Sequence, residues 1–109
     1  MKVVNINEIV AQENRAFSLR TLFEEENQNT TVKIGTVTIH PGERVPLTCV
    51  SNHEENEYSV IVKGTILTEI DDKQIRVSAG QATFIPAGKE HIAFNDGKEA
   101  CELVFVLVG

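Results

Sequence analysis

No stretch of this 109-residue chain concentrates Lys or Arg: ten basic residues are scattered among sixteen acidic ones, and the formal net charge is −6. Without a basic stripe there is nothing to neutralise a phosphate backbone, so nucleic acid is not an expected partner. Cysteine is scarce as well. Cys49 and Cys101 are too few and too far apart for a disulfide framework, and neither belongs to a C-x-x-C pair, so both are read as reduced thiols. Long apolar runs are missing. The longest, L-V-F-V-L-V at residues 103–108, falls far short of the ~20 residues needed to cross a bilayer as a helix, so no membrane partner is expected. The first residues, M-K-V-V-N-I-N-E-I-V, interrupt their apolar positions with Asn and Glu and carry no cleavage-site pattern. No secretory signal is therefore expected, and a soluble cytoplasmic protein is the default reading. Helical periodicity is nearly absent, apart from a turn or so around residues 7–11. No large charged or aromatic stripe stands out, which weakens a protein-interaction domain as a reading.

What is present is ordinary globular composition, 41% hydrophobic and 24% charged, in a length that suits one domain with one core across residues 1–109. Short stretches rich in Val, Ile, Thr and Phe alternate with Gly, Pro, Asn and Asp, the pattern of an all-β sandwich or barrel. Strands are expected at residues 17–23, 32–40, 49–53, 57–62, 65–70, 74–77, 82–85, 91–94 and 101–108. Between them, I-D-D-K-Q around Asp71 fits a hairpin connection, P-G-E-R after His40 a tight turn, and N-D-G-K from Asn95 another hairpin loop. Alternate residues of a strand share a face. From Glu57 onward one face carries Glu57, Ser59 and Ile61 and the other Tyr58, Val60 and Val62, and the final strand is apolar on both sides. One small sandwich covers a single face of each sheet. An N-terminal strand or a second copy is expected to cover the other, which predicts a homodimer with residues 17–23 packed on or paired with the partner.

Two segments carry the chemistry: H-E-E-N-E-Y-S-V-I-V-K-G from His53, and G-Q-A-T-F-I-P-A-G-K-E-H-I-A-F-N from Gly80, separated by fifteen residues. A turn on P-A-G, with φ set by Pro86 and a positive φ made easy by Gly88, would deliver His91 to the start of the next strand, where His91, Ala93 and Asn95 share a face. Upstream, Cys49, Ser51 and His53 would point one way, and the next strand begins with Glu57. Two imidazoles and one carboxylate from adjacent strands make the ligand set of non-haem Fe(II) centres, and Mn, Ni or Zn would fit it nearly as well. The expected metal ligands are His53, Glu57 and His91. Ser51, Cys49, Ser59 and Asn95 are expected to line the pocket, with Asn95 bonding the backbone near its turn.

These segments resemble the two motifs of the cupin superfamily, a jelly-roll β-barrel. The second motif, G-x5-P-x-G-x2-H-x3-N, is matched in full by Gly80, Pro86, Gly88, His91 and Asn95. The first, G-x5-H-x-H-x3,4-E-x6-G, is matched in its second half by His53, Glu57 and Gly64, and its opening P-G by Pro41 and Gly42. The resemblance covers a motif-bearing barrel at about residues 32–108, preceded by an N-terminal strand region at residues 1–31. One position departs from the pattern. Ser51 stands where the family places its first metal-binding histidine, and the spacing from Gly42 is longer than the motif prescribes. The resemblance therefore implies a site with three of four protein ligands, weaker for metal or with an extra position open to water or substrate.

Each reading has a plainer counterpart. The His53, Glu57 and His91 group could be a hydrogen-bonded polar cluster at the barrel mouth, Cys49 a core or pocket-rim thiol, and His40 an exposed strand-end histidine. The acidic runs at residues 24–26 and 54–55 read as solvated charge. Arg44 and Lys63 could meet an anionic ligand, though nothing in their spacing requires it. The leading expectation is a cupin-fold protein that binds a divalent transition metal and a small molecule in the barrel. The resemblance allows dioxygenases, isomerases, decarboxylases and sugar-modifying enzymes, and fold alone does not choose among them. The alternative is a non-catalytic, metal-free binding module. No inward carboxylate beyond Glu57 can be placed from sequence, which favours redox or Lewis-acid chemistry over proton shuttling.

Overall fold

β-Branched and aromatic residues at alternating positions draw most of the chain into ten antiparallel strands, described here over residues 1–109 in a computed structural model. A 3₁₀ turn at Ile6–Glu8 precedes β1 (Gln12–Glu13), β2 (Phe17–Asn27), β3 (Thr30–Ile39), β4 (Arg44–Val45) and β5 (Asn56–Lys63). The chain continues through β6 (Thr65–Ile70), β7 (Lys73–Ser78), β8 (Ala82–Ile85), β9 (Ile92–Phe94) and β10 (Cys101–Val108). They form a six-stranded sheet in the order β1-β2-β3-β10-β5-β8 and a four-stranded sheet in the order β4-β9-β6-β7. The all-β jelly-roll expectation holds.

Two hairpins show how local chemistry sets the register. Gln28 and Asn29 (φ 48° and 67°) join β2 to β3, and Asp71 and Asp72 (φ 54° and 60°) join β6 to β7. Paired positive φ values of this kind define the two-residue turn whose twist suits a hairpin. The second was expected. The first lies beyond the expected end of its strand, because β2 continues through the acidic run to Asn27, where Glu24, Glu25 and Glu26 are exposed.

The sheets face each other across a core of Ile39, Ile61, Ile66, Val77 and Cys101, with Val37, Val45, Ala93 and Leu103 packed against it. Gly35 in β3 sits opposite Phe105 of β10, and the absence of a side chain lets the ring lie over the backbone. The expected two-sided apolar character appears in β5: Ser59 and Ile61 are buried inside, whereas Tyr58, Val60 and Val62 on the other face are 47%, 48% and 60% exposed. The N-terminal segment does not cover them. It runs beside β2, held by a hydrogen bond from Arg20 Nε to the Ile9 carbonyl and by the Lys2–Glu25 pair.

Two expectations are corrected. Residues 49–53 form no strand; a single antiparallel bridge joins Ser51 to His91, and Cys49 takes a φ of 63° that breaks any extended run. The N-D-G-K segment is no hairpin loop, because β9 and β10 belong to different sheets and the chain crosses between them there. Asn95 holds this crossover. Completely buried, it donates from Nδ2 to the carbonyls of Ile39 and Glu99 and accepts from the Gly97 amide through Oδ1.

Candidate functional site

The P-A-G turn forms as its residues dictate. Gly88 has φ +80°, and the Lys89 amide donates back to the Pro86 carbonyl at 3.2 Å. Two further bonds pin it to the upstream segment: the Ala87 amide donates to Asn56 Oδ1 at 2.9 Å, and the Gly88 amide to the His53 carbonyl at 2.7 Å. Three residues on, Ser51 and His91 exchange two backbone hydrogen bonds of 2.9 and 3.0 Å. The two motif segments are thus fastened together by their backbones, and their side chains converge as a result.

Nε2 of His53 lies 3.8 Å from Oε1 of Glu57, and Nε2 of His91 lies 3.6 Å from Oε2 of the same carboxylate. All three donor atoms fall within 4.8 Å of one another. Neighbouring donors around a transition-metal ion at ~2.1 Å stand roughly 3.0–3.4 Å apart, so this group fits an ion after a small inward closure. His91 is buried and His53 is half-buried. His91 is also oriented: its Nδ1 lies 3.0 Å from the Lys89 carbonyl. A carbonyl oxygen only accepts, so the neutral ring carries its proton on Nδ1 and turns the Nε2 lone pair toward Glu57. Such a partner fixes the tautomer and ring plane of a metal-binding imidazole.

Beside the group lies a cavity of about 480 Å³ between the sheets. Its walls are largely apolar, with Leu19, Val37, Ile66, Leu103 and Phe105 among them, and His53, Glu57 and His91 all line it. Of the expected pocket residues, Ser51 and Ser59 line the cavity. Cys49 and Asn95 do not: Cys49 is exposed on the loop, and the Asn95 amide is spent on the crossover. His40 stays outside the group, Lys63 is exposed, and Arg44 donates to the Cys49 carbonyl at 2.7 Å.

Three features escaped the sequence reading. Glu55, read as solvated charge, lines the cavity, as does Lys33. The signal for Lys33 was available, since it alternates in β3 with Gly35, Val37 and Ile39 and so places a charge on the inner face. The Lys89 carbonyl that orients His91 has no sequence signal. A wider, open groove lies on the outside between the β6–β7 hairpin and residues 89–92, but it is lined mainly by charged side chains, and Lys89 pairs with Asp71 in it.

Comparison with known proteins gives a consistent picture. The family model described as a cupin domain matches residues 35–107. Among curated relatives, the alginate biosynthesis protein AlgA of Pseudomonas aeruginosa is 33% identical over 73 residues, which is 67% of this chain and 15% of that protein. A mannose-1-phosphate guanylyltransferase of Escherichia coli is 32% identical over 76 residues, 70% of this chain and 16% of that protein. The chain therefore spans only about a sixth of the length of these relatives. Among solved structures, a predicted oxalate decarboxylase from Thermotoga maritima superposes with a TM-score of 0.79 at 19% identity, covering 97% of both chains. The polyketide cyclase RemF of Streptomyces resistomycificus superposes with a TM-score of 0.78 at 20% identity, covering 98% of this chain and 78% of that one. With the complete second motif, the two-sheet barrel and the family match across its central 73 residues, this chain belongs to the cupin domain family.

Proposed function

We propose that the protein holds a divalent transition metal through His53, Glu57 and His91 and takes a small molecule into the adjoining cavity. The observation that carries this reading is the convergence of two imidazoles and a carboxylate at an apolar-walled space between the sheets. When bound, the metal supplies Lewis-acid or redox chemistry to an oxygen-bearing ligand. The chain's own residues do the rest. The Lys89 carbonyl holds His91 in the tautomer that offers Nε2. The hydroxyls of Ser51, Ser59, Thr68 and Thr83 line the cavity and can hydrogen-bond a ligand, while Phe105, Leu103 and Val37 exclude water. Glu55 is the one carboxylate lining the cavity outside the metal set, and it is the candidate for moving a proton.

One curated relative is named for guanylyl transfer to mannose 1-phosphate and another for alginate biosynthesis, and the structural neighbours are named for decarboxylation and cyclisation. The cavity's many aliphatic side chains favour a ligand with an apolar body over a bare sugar. Elemental analysis of protein purified without a histidine tag and without added metal is the direct test. About one transition-metal ion per chain is expected, and a marked loss in His91→Ala; a parent protein that holds none sinks the proposal. A metal-free binding module is the second reading, favoured by Ser51 in the place of a fourth donor and by donor separations wider than a bound ion would impose.

A further inference from the structure

Besides Glu55, one further charge in the cavity has no part in the metal group. Lys33 is half-buried, lines the cavity, and makes neither an ion pair nor a side-chain hydrogen bond. Register explains its place. Lys33 is opposite Leu107 of β10, and Leu107 is opposite Glu57 of β5, so Lys33 and Glu57 stand in one row across three strands. Their α-carbons are then roughly 10 Å apart, with both side chains on the inner face. Glu24 lies across from Lys33 on β2 but is exposed to solvent. With neutral histidines, Lys33 against Glu55 and Glu57 leaves the cavity with one negative charge in excess. A divalent ion reverses this to one positive charge.

We propose, on the strength of the metal reading above, that the cavity's ligand is a small carboxylate with an apolar body and an oxygen function at its far end. The oxygen would lie at the ion that His53, Glu57 and His91 would hold, and Lys33 takes the carboxylate across a spacer of roughly four carbons, set by the width of the row. Because the excess charge changes sign with the ion, the carboxylate binds the metal-loaded protein and not the metal-free one. The apolar walls between the two ends reject a uniformly polar molecule.

The test uses cobalt(II)-loaded protein and two probes of equal length, hexanohydroxamate and the monohydroxamate of adipic acid, which differ only in a terminal carboxylate. Binding is followed by the visible cobalt spectrum. The carboxylated probe should bind the parent about tenfold more tightly, as expected for one charge-assisted hydrogen bond at a half-buried site. Lys33→Met should erase that preference without changing cobalt uptake or hexanohydroxamate affinity, and Lys33→Arg should keep it. Cobalt bound normally but with equal probe affinities in the parent, or a preference that survives in Lys33→Met, overturns the carboxylate assignment alone. Failure of the parent to take up cobalt overturns the metal reading as well.

Discussion

Replacing Gly35 by Ala should destabilise this fold by about 1–2.5 kcal/mol, and the figure follows from what the new methyl would meet. A β-carbon at Gly35 would stand 2.6 Å from the Arg20 carbonyl oxygen and 2.6 and 2.8 Å from two ring carbons of Phe105. The first contact is backbone, within a hydrogen-bonded strand pair, and cannot turn away. The second is a ring that is only 7% exposed and can yield only toward the cavity. Overpacking of this kind costs ~2–3 kcal/mol. Restricting the unfolded chain at a former glycine returns about 0.5–1 kcal/mol. For a domain of this size the net loss lowers Tm by roughly 4–15 °C, readable by calorimetry or circular dichroism. Adding Phe105→Leu to Gly35→Ala removes one of the two clashes, so the pair should be more stable than the sum of the single changes by about 1 kcal/mol. A Gly35→Ala protein that melts within a degree of the parent, or strictly additive changes, would refute the steric reasoning.

Ser51→His should tighten metal binding by about tenfold, since residue 51 is paired directly with His91 and both line the cavity, so a third imidazole enters as a fourth donor beside the existing three. Weaker binding in a chelator competition would mean the donors do not converge on an ion. Thiol labelling of the native protein should modify one cysteine quickly: Cys49 is exposed, whereas burial, with Glu102 and Glu99 nearby, pushes the Cys101 thiol up. Two fast equivalents before denaturant is added would contradict this. The hydrogen bond from Arg76, together with its charge, holds the Asp96 carboxyl below the usual carboxylate range. Its folded value is depressed, so its contribution to stability is present above about pH 4 and lost as pH falls through the folded value. The Tm advantage of the parent over Asp96→Asn should accordingly shrink below about pH 4, and a gap that stays constant into acid would rule out this pair as its source.

Where local chemistry decides a conformation, the sequence was sufficient. Gly88 at φ +80°, the Asp71–Asp72 hairpin and the alternation of β5 all follow from a few neighbouring residues. Tertiary context decided the rest. N-D-G-K has hairpin composition, yet its flanking strands go to different sheets, and the Asn95 amide serves the crossover. The alternation of Cys49, Ser51 and His53 suggested a strand, but the only ladder available there is the single Ser51–His91 bridge. The pairing of His53 with Glu57 and His91 was still legible, because motif spacing encodes the convergence even where the intervening backbone is irregular. Lys33 is a different case: it belongs to neither motif, but its alternation with Gly35, Val37 and Ile39 in β3 marks a charge on the inner face.

The segment from Pro46 to Glu55 belongs to neither sheet except through the Ser51–His91 bridge, and its remaining backbone tie to the opposing turn is the bond from Gly88 to His53. Three hydrogen bonds of this sort make a latch rather than a wall. Releasing them would swing Ser51 and His53 aside while leaving all ten strands paired, so one side of the cavity would open without any cost to the barrel. The same movement would withdraw an imidazole from the metal group. If an ion is held there, entry of a molecule and loosening of the ion would be a single event, and slow exchange of the Ser51, Gly88 and His91 amides would mark the closed state.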